Sequence, residues 1–314
     1  MNSIVKDGAV QLGGLLVTGL PKETEGAETK DGHTWTVKEN SSSLSRKPAF
    51  ITFSGIDDSV SDRAVREFIA IAKDNDLLDK IEFGVLYMLE KAGQDRYPSV
   101  RWIHQFVEEM RNNDVRLSLH LCGSAIFNEL LDDKAAQDFF LEMDWFDRFQ
   151  LNVNARQKDL SDNKLHDLYG AFWDAHKTYI LQCHEANRAN VHNHLYSLAK
   201  VDHPSLKRVH VLYDSSKGKG LTPGSWPSFF EDRLVDYQDF DNVVLRGYAG
   251  GMGPDNVRSE IDRIILSRCT GPSLGTIAPY DYWIDMESNI RSKSLLSTRF
   301  DFDKVMETLQ KVYR

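Results

Sequence analysis

The sequence predicts a (βα)8 barrel preceded by an N-terminal extension, and three observations support that prediction. The chain has 314 residues, enough for a barrel of about 250 residues with a further segment attached. Short apolar segments alternate with amphipathic helical patterns at about thirty residues per unit, which is typical of repeated βα units. Polar and ionisable residues concentrate where the apolar segments stop, and the active sites of such barrels lie at the carboxyl ends of the strands.

Residues 1–48 differ from the rest of the chain in composition. They are rich in Gly, Thr, Lys, Glu and Ser and end in a polar run at 39–46. Two alternating pieces, 10–18 and 33–37, suggest a hairpin or lid, so this segment is predicted to be a partly ordered extension. The alternatives are a cap over the barrel mouth or an interface arm, and an arm would permit a homodimer. Residues 49–314 are predicted to form the barrel.

Eight apolar segments are predicted to be the barrel strands, and helical patterns lie between them. The predicted strands are residues 50–54, 81–87, 116–121, 148–153, 178–183, 209–213, 243–247 and 282–285. The predicted helices include residues 62–74, 100–112 and 256–268. In the first helix, an apolar stripe is expected from Val65, Phe68, Ile69 and Ile71.

A doubly wound open sheet is the competing fold. Such a sheet would normally carry a G-x-G-x-x-G fingerprint after its first strand. This chain has Ser54, Gly55, Ile56 and Asp57 at that point, so the barrel is preferred.

Composition argues against several classes of function. The chain has 38 Lys and Arg against 47 Asp and Glu, a net charge of −9, and no basic stripe, so no nucleic-acid partner is expected. The cysteines Cys122, Cys183 and Cys269 are odd in number and widely spaced, which argues against a disulfide framework and favours a reducing, cytoplasmic setting. No apolar run has the length of a signal-peptide core or a membrane span, so no membrane association is expected.

The run 208–260 contains the strongest candidate site. Asp214 ends an apolar strand, and apolar surroundings let a carboxyl keep its proton near neutral pH, as a general acid must. The alternative for Asp214 is a turn cap. Gly250 and Gly251, followed by a helix start near Pro254, form the predicted phosphate cradle, because glycine lets backbone N–H groups approach an anion. The alternative for the glycine pair is a tight turn.

Other residues are expected to complete an anion site on the same rim. Ser288 and Asn289 follow the last strand, the usual phosphate position in these barrels. Lys217 is placed to neutralise a phosphate or carboxylate, or else lies in a solvated loop. Glu287 opposes anion binding unless it points away or pairs with Arg291.

A catalytic base is predicted among three groups at the strand ends. His120 and Cys122 lie two apart on one strand, so their side chains face the same side. If that side is the interior, either is a candidate base, and the alternative is a buried histidine with an inert cysteine. Glu185, with His184 beside it, is the third candidate. The spacing of these residues matches no metal-ligand pattern, so neither a metal nor a cofactor is expected.

Six segments carry motifs in a fixed order along the chain. They are SGID at 54–57, FGVLY at 83–87, FQLN at 149–152, LYDSSKGKG at 212–220, YAGGMGPDNV at 248–257 and IDMESNIRS at 284–292. In order and spacing they resemble the motifs of phosphoribosylanthranilate isomerase, a (βα)8-barrel enzyme of the tryptophan pathway. The resemblance runs from about residue 50 to the C-terminus and excludes the extension.

The resemblance implies roles for individual residues. Asp214 matches the family's general acid, whereas Ser54 occupies the place of the cysteine that is its general base. A serine hydroxyl cannot act as a base unless another group takes its proton. Arg96 stands where the family has an arginine that contacts the substrate carboxylate. Asp285 begins the D-x-x-S motif of the last strand and is assigned to substrate or phosphate binding.

Three functional hypotheses follow. The first is an isomerase- or lyase-type enzyme that acts on a phosphorylated sugar or ribosyl compound, with Asp214 as general acid. The second is a non-catalytic barrel that binds a phosphorylated ligand or nucleotide and lacks the base of the first strand. The third is a barrel hydrolase that uses Glu185 and His120.

Overall fold

A computed structural model of the chain shows a closed barrel of eight parallel strands. This confirms the fold class that the sequence predicts. The residues that the structure describes are 5–6, 9–12, 15–18, 47–123, 145–152, 177–185, 187–200, 208–214, 220–227, 245–269, 281–293 and 297–314.

The barrel strands follow one another around the ring in chain order. They are β1 (Phe50–Ser54), β2 (Ile81–Tyr87), β3 (Arg116–Cys122), β4 (Arg148–Asn152), β5 (Thr178–Cys183), β6 (Val209–Asp214), β7 (Arg246–Ala249) and β8 (Tyr282–Met286). β8 pairs with β1 and closes the ring. The prediction for β7, 243–247, ends two residues too early, and its residues 243 and 244 lie outside the described part of the chain.

Five α-helices occur in the described residues. They are α1 (Asp62–Asp74), α2 (Val100–Arg111), α3 (Arg188–Lys200), α4 (Val257–Cys269) and α5 (Phe302–Tyr313). Ser61 and Ser99 cap α1 and α2, each accepting a backbone N–H that the first helical turn leaves unpaired. Within this described set, none of the helices has the length and apolarity that crossing a bilayer requires.

The apolar face of α1 is buried in the core that surrounds the barrel. Val65, Phe68, Ile69 and Ala72 are buried, at the i, i+3, i+4 and i+7 positions of one helical face. The prediction for Ile71 is wrong, because this side chain lies off that face and is 51% exposed.

The interior of the barrel contains a charged pair beside an apolar cluster. The cluster consists of Phe50, Ile180, Leu212 and Trp283. The Arg148 guanidinium lies 4.7 Å from the centre of the Trp283 ring.

The carboxylate of Glu82 neutralises Arg148 inside the barrel. Arg148 Nη1 donates to Oε1 and Oε2 of Glu82 at 2.7 and 2.6 Å, and Thr52 Oγ1 donates to Oε1 at 2.8 Å. The Glu82 side chain is fully buried and that of Arg148 is 10% exposed. A charged pair at this depth requires hydrogen bonds of this kind, because isolated charges are very costly to bury.

The two ends of the described barrel segment meet at the amino-terminal side of the strands. Lys47 Nζ donates to the Tyr313 carbonyl at 3.0 Å, and the Tyr313 hydroxyl donates to the Pro48 carbonyl at 2.9 Å. Since β1 begins at Phe50, this contact lies opposite the carboxyl ends of the strands.

Three short strands in the predicted extension form an antiparallel sheet. They are Val5–Lys6, Ala9–Leu12 and Leu15–Thr18. The last two pair as a hairpin that overlaps the first of the two alternating pieces, 10–18. The other predicted piece, 33–37, lies outside the described residues, and the role of the extension as a cap or arm stays a prediction.

Candidate functional site

Two buried carboxyl groups lie at the carboxyl ends of β6 and β8. Asp214 is 5% exposed and Asp285 is 6% exposed. The register pairs Ala249 of β7 with Asp214 on one side and with Asp285 on the other. Neighbouring strands are about 4.8 Å apart, so the backbones of the two acids are separated by roughly 10 Å. Ala249, between them, carries only a methyl group.

The environment of Asp285 favours its protonated form. Burial raises the pKa of Asp285 to about 8, and the charges of Glu287, Glu82 and Asp214 act in the same direction. A hydrogen bond from Ser54 Oγ to Asp285 Oδ1, 2.7 Å long, opposes this shift. Asp285 therefore keeps a proton at neutral pH. The sequence assigned this residue only to substrate binding, so its capacity for acid chemistry was missed.

Asp214 is held by a side chain of the neighbouring strand. Gln182 Nε2 of β5 donates a 2.7 Å hydrogen bond to Asp214 Oδ2. The two acids thus have different partners, an amide donor for Asp214 and a serine hydroxyl for Asp285. The structure places Asp214 on the predicted rim, and its role as general acid stays a prediction.

Ser54 and His120 approach each other across a glycine of the intervening strand. A Cβ at Gly84 would lie 2.5 Å from Ser54 Oγ and 2.9 Å from two atoms of the His120 ring, so a larger residue there would force these side chains to shift. Ser118 Oγ lies 3.1 Å from His120 Nε2. Burial, assisted by the charge of Arg148, lowers the pKa of His120 to about 3. His120 is therefore a weak base, which argues against its predicted role as the replacement base.

Cys122 is also poorly suited to act as a base. Its Sγ accepts a 3.2 Å hydrogen bond from Asn152 Nδ2, and burial raises the pKa of the thiol to about 12. The thiolate is the reactive form of cysteine, and it is scarce at neutral pH when the pKa is this high.

The adjacent residues His184 and Glu185 differ in burial, as expected where side chains alternate between the two faces of a strand. Glu185 is exposed on the turn after β5, whereas His184 is buried. The proposed partnership of Glu185 with His120 therefore joins an exposed group to one that is 2% exposed inside the barrel. That partnership stays a prediction, and the difference in burial argues against it.

Arg96 is fixed at the barrel mouth by two carboxylates. Its guanidinium forms an ion pair with Glu287, and its backbone N–H donates to Asp57 Oδ2 at 2.6 Å. The φ angle of Arg96 is +72°, an uncommon conformation for a residue with a side chain. A substrate carboxylate at Arg96, as the resemblance implies, would compete with Glu287.

Arg291 pairs with Asp57 and not with Glu287, which removes one of the two alternatives for Glu287. Its Nη2 donates to Asp57 Oδ2 at 2.6 Å, and Nη1 donates to the Gly55 carbonyl. The counter-charge of Glu287 is Arg96 instead. Burial raises the pKa of Glu287, although Arg96 opposes the shift. Neutralisation by Arg96 and the raised pKa both reduce the repulsion that this acid would exert on a nearby phosphate.

The segments that follow β6, β7 and β8 converge around Gly251. A Cβ at Gly251 would collide with the backbone nitrogen of Thr222, and one at Gly220 would lie 2.8 Å from Ser288 Oγ. Asn289 Nδ2 donates to the Gly251 carbonyl at 2.7 Å. The predicted cradle residues are therefore close together.

The backbone at the glycine pair has conformations that favour glycine. Gly250 has a φ of +138° and Gly251 a φ of +59°. Asn256 precedes α4 and fixes the turn, since its Oδ1 accepts from the Gly253 N–H at 2.9 Å and its Nδ2 donates to the Gly251 carbonyl at 3.0 Å. Lys217 lies outside the described residues.

In the parts of the chain described here, no group of three or more His, Cys, Asp or Glu side chains is arranged to hold a metal ion. The residues brought together at the rim are instead hydrogen-bonded carboxyl groups and glycine turns.

No protein-family model and no curated protein matches the chain. The resemblance to phosphoribosylanthranilate isomerase therefore stays a prediction. The chain is similar to solved structures at low identity. For 3-hexulose-6-phosphate synthase from Salmonella typhimurium the identity is 11%, the TM-score 0.42, and the coverage 84% of this chain and 98% of that chain.

Two further solved structures are similar to the chain. For 3-dehydroquinate dehydratase from Aquifex aeolicus VF5 the identity is 14%, the TM-score 0.36, and the coverage 84% of this chain and 99% of that chain. For triosephosphate isomerase from Bartonella henselae the identity is 12%, the TM-score 0.38, and the coverage 76% of this chain and 92% of that chain. All three TM-scores are below 0.5, so no functional inference rests on these similarities.

Proposed function

We propose that this barrel is an acid–base enzyme that rearranges a small phosphorylated sugar or ribosyl compound by isomerase- or lyase-type chemistry. Asp214 and Asp285 transfer the protons, and the turns around Gly250 and Gly251 bind the phosphate. One observation carries the proposal: Ala249, which lies between the two acids in register, is followed directly by the glycine pair. A substrate only a few bonds long can therefore contact both groups.

The two carboxyl groups are suited to complementary steps. Asp285, with a pKa of about 8, can give a proton to a carbonyl or leaving-group oxygen at neutral pH. Asp214, oriented by Gln182, lies on the other side of Ala249. Pairs of acids in different environments commonly divide the roles of donor and acceptor in this way.

The phosphate site rests on backbone groups and one amide side chain. Gly250 and Gly251 allow the chain to approach an anion closely, and α4 begins a few residues later, so that its N-terminus favours negative charge. Asn289, exposed at the rim, can add an N–H donor. Lys217 stays a candidate counter-charge.

Phosphate binding can be tested without knowing the substrate. Inorganic phosphate is titrated into the protein and its binding followed by ³¹P NMR. Gly251→Ala should weaken binding by at least about tenfold, or about 1.4 kcal/mol, because the added Cβ collides with Thr222. Gly224→Ala is the matched control, since a Cβ at that position meets nothing within 4 Å. Equal affinity in both variants would place the phosphate elsewhere.

Proton transfer can be tested with a panel of phosphorylated aldoses, ketoses and ribosyl compounds in D₂O. The wild type should incorporate deuterium from solvent into at least one of them, as detected by mass spectrometry. Asp214→Asn should reduce the rate by about 10²–10⁴-fold, the usual contribution of a general acid or base. Phosphate binding should persist in that variant. Phosphate binding by the wild type without exchange into any compound would favour the non-catalytic binder.

A more specific hypothesis is that phosphoribosylanthranilate is the substrate. The gene should then restore growth without tryptophan to a strain that lacks phosphoribosylanthranilate isomerase. Failure to grow, with the protein expressed and active on another compound, would reject this substrate while leaving the acid–base proposal in place.

A further inference from the structure

A buried histidine beside the acid pair has a ring nitrogen that pairs with none of the described residues. His184 directly follows β5 and is 7% exposed. In that strand Ile180 belongs to the apolar cluster inside the barrel, and Gln182 reaches Asp214, while Cys183 packs in the outer core. Alternation therefore directs the side chain of His184 to the inner face.

The turn after β5 fixes the backbone of His184. The His184 N–H donates to Asn187 Oδ1 at 2.8 Å, and Asn187 Nδ2 donates to the Gln182 carbonyl at 2.8 Å. The Asn187 N–H in turn donates to the His184 carbonyl at 3.1 Å. Asn187 is itself buried, so this small network ties the histidine to the end of the strand.

The ring of His184 has a polar atom without a partner among the residues that the structure describes. Its Nδ1 is buried and makes no hydrogen bond within that part of the chain. Most buried polar side-chain atoms are paired, because leaving one unpaired is costly, and an exception at the mouth of a barrel calls for an explanation. A substrate atom that approaches Nδ1 would supply the missing partner.

His184 lies level with both acids of the proposed site. The register pairs Cys183 with Tyr213, so the next residues, His184 and Asp214, are level with each other. Ala249 and Asp285 continue the row around the rim. The other candidate bases are less suitable, because the pKa of His120 is about 3 and that of Cys122 about 12.

We infer that His184 is a further catalytic residue, the base that takes the carbon-bound proton from a phosphorylated α-hydroxy carbonyl substrate. The inference rests on the proposed function. His184 Nδ1 takes the proton from the carbon next to the carbonyl, and the C–H electron pair forms a C=C bond. The carbonyl π pair moves to oxygen, which takes the proton of Asp285. The products are a neutral enediol, an imidazolium and a carboxylate. The imidazolium then gives its proton to the former carbonyl carbon, to which the C=C pair bonds, while the O–H pair of the other hydroxyl forms the new carbonyl. Asp214 accepts that hydroxyl proton, and exchange with solvent restores the proton of Asp285, so the isomer forms without any oxidant.

The kinetic test uses variants of His184 in the deuterium-exchange assay. His184→Asn should lower exchange by about 10²–10⁴-fold while inorganic phosphate binds as before. His184→Ala should regain activity when imidazole is added, which a purely structural role would not produce. His104→Asn, a change at an exposed histidine of α2, should exchange at the wild-type rate. Unchanged exchange in His184→Asn would overturn the inference.

A chemical label tests His184 even if no compound in the panel is turned over. A phosphorylated α-bromoketone should alkylate Nδ1 of His184, forming a C–N bond and releasing bromide. Peptide mapping by mass spectrometry should find the label on His184, with protection by inorganic phosphate and none on His104. A label on another residue, or no label, would overturn the inference. Labelling of His184 together with a lack of exchange would show that the histidine lies in a ligand site, and would reject both the proposed function and the role of base that depends on it.

Discussion

Ser54 Oγ donates a 2.7 Å hydrogen bond to Asp285 Oδ1, joining the first barrel strand to the last across 231 residues of sequence. The serine stands where the family resemblance places a catalytic base. In the structure it is a hydrogen-bond donor that stabilises the ionised form of an acid. Ser54 is therefore better understood as a residue that tunes the pKa of Asp285 than as a base.

Ser54→Ala should raise the pKa of Asp285 above its value of about 8, since the lost hydrogen bond favours the carboxylate. The pKa can be followed by ¹³C NMR of the labelled Asp285 carboxyl. Ser118→Ala removes another buried hydroxyl, one that contacts His120, and should leave this pKa unchanged. A lower pKa in Ser54→Ala would contradict the assignment.

Asp285→Asn should flatten the pH dependence of stability between about pH 4 and pH 8. The pKa of Asp285 is raised by folding from 3.8 to about 8, so the folded state binds the proton more tightly than the unfolded state. The stabilisation that the protonated Asp285 gives is complete below pH 4 and is lost as pH rises through 8. Over this range the free energy of unfolding should fall by up to about 1.4 kcal/mol per pH unit. Urea unfolding from pH 4 to 8 measures the slope.

The control for that experiment is Asp74→Asn, a change at an exposed acid at the end of α1. This variant should keep the wild-type slope. Parallel curves for wild type and Asp285→Asn would show that Asp285 is ionised in the folded protein throughout this range.

Gly84→Ala should destabilise the barrel by about 1–3 kcal/mol, because the new methyl group overlaps Ser54 and His120. Gly224→Ala places its methyl group in open space and should change the free energy of unfolding by less than about 0.5 kcal/mol. Urea denaturation at one pH compares the two variants. Similar stabilities would mean that Ser54 and His120 are not packed against β2.

Arg148→Met should cost about 3–5 kcal/mol, since it leaves the fully buried Glu82 without its counter-charge. The double variant Arg148→Met/Glu82→Gln should be less destabilised than the single variant, because the unpaired charge is gone. Arg63→Ala removes the exposed pair with Glu67 and should leave the free energy of unfolding close to that of the wild type, because solvent screens an exposed ion pair. An additive double-variant cycle would contradict a direct coupling between Arg148 and Glu82.

Most of the barrel could be predicted from sequence, because buried strands are apolar runs with polar ends. The bounds of β1, β2 and β5 were predicted correctly for this reason. β7 was placed too early, since its last residue, Ala249, is in the strand only through pairing with Asp214 and Asp285. The hydrophobicity of the local sequence gives no information about pairing between residues that are far apart in the chain.

The rim position of Asp214 could also be predicted, whereas the properties of its neighbours could not. The raised pKa of Asp285 depends on burial and, beyond the adjacent Glu287, on the charges of Glu82 and Asp214 from two other strands, which no local pattern reveals. The choice between His184 and Glu185 was within reach of the sequence. Counting the strand period from Ile180 directs His184 inward and Glu185 outward.

The contact of Lys47 with the carbonyl of Tyr313 has a practical consequence for handling the protein. It places the last helix end on the face away from Asp214 and Asp285. A sensor surface or affinity resin coupled through Arg314 should therefore hold every molecule with its mouth turned toward the solution. Phosphorylated compounds could then be screened for binding to an immobilised and uniformly oriented protein.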